Sequence, residues 1–151
     1  MEAEPEPDLC QLLQMMLESA LLGKPYPGQS APGSFFPDAE MVEDLPEIVI
    51  SRRNLDDPCQ IDVPGRRVMI LSEDEIATRA ASEGDFPYFS LTEATFTAGE
   101  ATLSLQLSWA VSEASKQAGV LPFGGGGVRV RFEWIAGEWQ APSGPISTWM
   151  A

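Results

Sequence analysis

Enzymatic chemistry near neutral pH turns on histidine, on a nucleophile beside a base, on a bound metal or on paired carboxylates. The sequence contains no histidine. That removes Ser-His-Asp and Cys-His catalysis, histidine metal sites and histidine pH switches together. The glycine run Gly124–Gly127 has the composition of a phosphate loop. Such a loop needs a strand before it, a helix after it and usually a lysine. Here Leu121-Pro122-Phe123 precedes the run and a strand pattern follows, with no Lys or Ser/Thr at the required places. The run therefore reads as a flexible approach to a strand. Three acidic groups could serve a metal: Asp56-Asp57, Asp38 with Glu40, and Glu73-Asp74-Glu75. None has the alternating oxygen ligands and central glycine of a calcium loop. The last is explained by a helix N-terminus, where the backbone dipole favours negative charge. Glu93 and Glu133 lie in strand patterns, and strand carboxylates commonly pair with an arginine, here Arg129 or Arg131. No nucleophile–base pair can be assembled, so the expectation is no catalytic residue, no metal and no cofactor.

What the chain has in quantity is negative charge. Its 151 residues carry 23 acidic and 9 basic side chains, a formal charge of −14 and a pI near 4.1. Nucleic-acid backbones and anionic membranes both need a basic surface, so neither is an expected partner. An acidic field of this size steers a cationic protein instead. Residues 1–62 hold 13 acids against 3 bases, whereas residues 63–151 hold 10 against 6. Glu43, Asp44, Asp56 and Asp57 fall in loop-like segments within partner reach and are candidate contact residues. Trp139 is a candidate interface anchor, a role in which tryptophan is enriched, with core packing as the competing reading.

The elements that would position these groups are legible in part. Hydrophobic residues make up 44% and charged residues 21%, the balance of a globular chain, and the length suits one domain over residues 1–151. After Asp8, a helix cap, Leu9, Leu12, Leu13, Met16, Leu17 and Leu21 have helical spacing, so residues 1–23 contain an N-terminal helix stopped by Gly23 and Pro25. Residues 24–46 are a Pro/Gly-rich connecting segment, and residues 47–151 form a sheet-rich body. Ser72-Glu73-Asp74-Glu75 reads as a capping box opening a short second helix that ends near Gly84. Strands are expected over 47–52, 66–71, 88–97, 101–112 and 128–135, with a closing hairpin through Ala136-Gly137. The clearest signal is Leu103, Leu105, Leu107, Trp109 and Val111 alternating with Ser104, Gln106, Ser108, Ala110 and Ser112. The fold class is α+β, with two helices and a curved antiparallel sheet of about four to six strands, and residues 86–141 are expected to form one antiparallel sheet.

Only two cysteines are present, Cys10 and Cys59. The acidic N-terminus has neither a basic signal-peptide start nor an uninterrupted apolar core, so a cytoplasmic protein with two unbonded thiols is expected.

The run Val128-Arg129-Val130-Arg131-Phe132-Glu133-Trp134, followed by Gly137-Glu138-Trp139-Gln140, resembles the closing hairpin of nuclear-transport-factor-like, cystatin-type cone folds. The likeness covers residues 86–141 in pattern only. Such folds serve as enzymes, ligand carriers, association modules and immunity proteins. The resemblance therefore implies a fold and leaves function open. Two expectations follow. One is a non-catalytic acidic binding protein, an immunity- or antitoxin-like inhibitor of a basic partner such as a toxin, recognising it through the acidic first half and the polar sheet face. The other is a cone-fold enzyme or small-ligand carrier with a pocket on that face at Ser104, Gln106, Ser108, Arg129, Arg131 and Glu133.

Overall fold

The computed structural model describes residues 8–29, 42, 45–55, 59–119 and 124–149. Helix α1 (Leu9–Leu22) begins where Asp8 accepts a hydrogen bond from the Gln11 amide and ends at Gly23, whose φ of 69° is left-handed. Its Leu12, Leu13, Met16 and Leu17 are fully buried. Four strands and a second helix follow: β1 (Glu47–Ser51), β2 (Arg67–Leu71), α2 (Glu73–Glu83), β3 (Phe86–Thr97) and β4 (Glu100–Ala110). The chain continues through α3 (Glu113–Gln117), β5 (Gly124–Ile135), β6 (Glu138–Gln140) and β7 (Pro145–Trp149). The sheet runs β2-β1-β3-β4-β5-β6, and β7 pairs with β5 beside β6. The α+β class is as expected. α3 and β7 have no forerunner in the sequence reading.

Over residues 86–141 the sheet is antiparallel, as expected, and the strands before that region make the whole sheet mixed. β3 through β7 pair antiparallel, but β1 runs parallel to both β2 and β3. The physical reason lies in the connections. A tight turn can only return a strand antiparallel, while a parallel neighbour needs a crossover of about a dozen residues or more. The long connection from Arg52 to Arg66 supplies one, and the segment holding α2 supplies the other.

Cross-strand partners share a face, so the register sorts the side chains. Leu103, Leu105 and Leu107 of β4 line up with Ala94, Leu91 and Phe89 of β3 and, for the first two, with Val130 and Val128 of β5. Together with α1, Ile48, Ile50, Phe132 and Trp139, they form the main core. A period of two would carry Glu93 into that core after Phe89 and Leu91. A bulge between Leu91 and Glu93 prevents this: Ala94 turns inward and Glu93 lands opposite Ser104 on the other face. One end of that second face is covered by α2, whose Ile76 and Ala80 pack with Val49 and Ala110. The rest of it is polar.

Candidate functional site

On the polar face the register brings Glu93, Ser104 and Arg129 side by side on three adjacent strands. The Ser104 hydroxyl donates to Glu93 Oε1 at 3.1 Å, and Arg129 donates to the same oxygen at 2.8 Å and to Oε2 at 3.4 Å. Arg131 lies 3.8 Å from Glu133. The expected arginine–carboxylate pairing is therefore present. Gln106 stands opposite Ser90 and Gly127, and Ser108 opposite Tyr88 and Gly124. Glu93 is the residue of this cluster that alternation alone misplaces, because the bulge decides its face.

The other sequence-predicted contacts fare differently. Glu43, Asp44, Asp56 and Asp57 lie outside the described residues. Trp139 is no exposed anchor. It is 3% exposed and meets Trp134 edge-on, with ring centroids 5.4 Å apart. Pairing of the two residues across the β5–β6 hairpin sets that contact.

Cys10 and Cys59 are bonded to each other, which corrects the expectation of free thiols. α1 and the chain leading to β2 meet at this point, bringing the two Cα atoms to 5.3 Å, a separation that a disulfide readily spans. One helical turn on, the Gln14 side chain donates to the Asp62 carbonyl at 2.7 Å and accepts from the Asp62 amide at 2.9 Å. No helix among the described residues is long and apolar enough to cross a membrane.

Two cavities flank the end of the sheet where β3 starts and β4 finishes, and neither is lined by Ser104, Gln106, Ser108, Arg129, Arg131 or Glu133. One, of about 320 Å³, lies between α2 and β4 and includes Glu73, Ile76, Tyr88, Trp109 and Lys116. Burial, with a contribution from the Glu73 charge, raises the Tyr88 phenol above its ordinary pKa. The other, of about 330 Å³, includes Glu47, Val49, Arg79, Phe86, Pro87 and Trp109. Here Arg79 forms ion pairs with Glu47 and Glu83, and its guanidinium carbon sits 5.2 Å from the Phe86 ring centre. The Arg79 hydrogen bond holds the Glu47 carboxyl below its usual range. Asp85, on the cavity rim, is likewise lowered, by the Ser112 amide and the Ser115 hydroxyl at 2.8 and 3.0 Å. Sequence reasoning missed this cavity because its walls come from β1, α2 and the β3–β4 pair, which only the pairing unites. Among the described residues, no group of three or more Cys, Asp or Glu side chains is placed to hold a metal.

Comparison with protein-family models, with curated proteins and with solved structures finds no match to this chain. The resemblance to cone folds thus stays a likeness in pattern over residues 86–141, and the parallel β1–β2 pair lies outside it.

Proposed function

We propose that the protein is a non-catalytic binding module that recognises a basic protein, in the manner of an immunity or antitoxin-like inhibitor. The observation that carries the reading is how the charges are disposed. All nine basic side chains belong to described residues, and six of them are ion-paired to acids there: Lys24, Arg52, Arg79, Lys116, Arg129 and Arg131. The basic charge is thus largely neutralised within the fold, and the surplus of acids is left for a partner. Hydrogen-bonded polar clusters such as Glu93–Ser104–Arg129 suit the polar rim of a protein interface.

Compartment is part of this reading. The Cys10–Cys59 bond favours an oxidising setting, since cytosolic reductants keep thiols reduced. Action in the cytoplasm would require the reduced form. The test is affinity capture from source lysate at low salt, with identification of what binds and mass determination of the native bait. The expected result is a basic protein, released by salt, on a disulfide-bonded bait. Capture of only acidic or neutral proteins would overturn the proposal.

A further inference from the structure

We infer that the cavity at the start of β3, beside Arg79, Phe86 and Trp109, receives a lysine or arginine side chain of the basic partner. The inference rests on the binding reading above and gives it a point of attachment. Its walls are apolar: Val49 and Pro87 are buried, and Trp109 is only partly covered, leaving indole surface toward the cavity. Its volume of about 330 Å³ is at the small end of the range for ligand pockets, roughly 300–1,000 Å³. That size suits one inserted side chain better than a larger molecule.

The charge around it selects the kind of side chain. Arg79 brings one positive charge, but Glu47 and Glu83 both pair with it, and Asp85 adds a further carboxylate on the rim. Among the residues that line it, acids outnumber bases two to one, Glu47 and Asp85 against Arg79. The companion cavity balances Glu73 against Lys116 and has no such surplus. A guanidinium already lies over Phe86, so the site stabilises a cation on an aromatic face once. Trp109, the stronger cation–π partner by type, remains for a second. A long side chain can lay its methylenes along Pro87 and Trp109 while its charged head meets Asp85, the usual way such residues divide between apolar and polar surroundings. Buried aromatic pockets with a charged rim are where interfaces concentrate their energy.

The experiment titrates the isotopically labelled protein with acetyl-Gly-Arg-Gly-amide and, in parallel, with its Gln counterpart, following backbone amides and tryptophan indoles by NMR. The arginine peptide is expected to give saturable shifts at Trp109, Phe86 and Val49, with the Gln peptide giving none. Trp109→Leu should weaken binding about five- to tenfold, and Trp109→Phe should retain most of it. The spread of the amide spectrum reports whether each variant is folded. Shifts confined to Glu73–Glu75, equal shifts from both peptides, or no shifts at all would overturn the inference. The broader reading fails separately, when captured partners prove not to be basic while the arginine peptide still fills the cavity.

Discussion

Glu93 and Arg129 stand on β3 and β5, one strand apart from contact, and meet across Ser104 on β4, with Arg129 Nε 2.8 Å from Glu93 Oε1. The pair is part-exposed, with side-chain exposures of 46% for Arg129 and 34% for Glu93. Solvent screening therefore limits its worth to about 0.2–1 kcal/mol. A double-mutant cycle of Glu93→Gln and Arg129→Gln, read by urea denaturation, should return a coupling in that range that shrinks with added salt. A coupling well above it would mean the cluster is shielded from water.

That relationship also marks how much could be read from the sequence. The alternation in β4 places Leu103, Leu105 and Leu107 in the core, and each is fully buried. The Asp8 cap, the Ser72–Glu75 capping box and the closing hairpin are local signals, and all three are present. Glu93 was not placeable, because one extra residue reverses the face of everything after it and no residue type announces a bulge. The five-residue α3 and β7 are too short for periodicity to register. The Cys10–Cys59 bond and the Arg79–Phe86–Trp109 cavity depend on tertiary packing between segments far apart in the chain.

The disulfide joins residues separated by 49 positions. Closing a loop of that order restricts the unfolded chain, and removing a native disulfide from a small domain costs about 2–5 kcal/mol. The Cys10→Ser/Cys59→Ser variant should therefore melt several degrees below the wild type. Reductant should lower the wild-type midpoint toward that of the variant and leave the variant unchanged. A wild type indifferent to reductant would show that the bond contributes nothing.

The β5–β6 turn holds Ala136 at φ 53° and Gly137 at φ 82°. Two consecutive positive φ values belong to the two-residue hairpin turn that prefers Asn-Gly. Alanine in the left-handed region carries a steric cost of about 1–2 kcal/mol. Ala136→Asn should recover part of it, raising the melting midpoint by about 2–4 °C for each kcal/mol gained. An unchanged or lower midpoint would show that Ala136 is not strained.

Asp85 ties the start of β3 to α3 through the Ser112 amide and the Ser115 hydroxyl, and these bonds depress its pKa. A depressed folded-state pKa means that the stabilisation is complete above the ordinary aspartate range and is lost as pH falls through the lower folded value. Melting midpoints of wild type and Asp85→Asn should then differ near neutrality and converge in acid. A constant gap across the series would point to a structural effect of the substitution instead.

Charges further apart than the Debye length, about 8 Å at physiological ionic strength, are largely screened. Attraction summed over the acidic surplus should therefore act on the approach of a basic protein and fade as salt rises, mainly through the association rate. Short-range contacts, such as those in the cavity beside Trp109, act mainly on dissociation. The two contributions separate in one experiment. Stopped-flow rates with the captured partner across a salt series should show association slowing while dissociation changes little. Asp56→Asn/Asp57→Asn should lower the low-salt association rate and flatten its salt dependence, whereas Trp109→Leu should speed dissociation and leave the salt slope intact. If salt and the Asp56/Asp57 change both leave the association rate unaltered, the excess of carboxylates serves solubility and steers nothing.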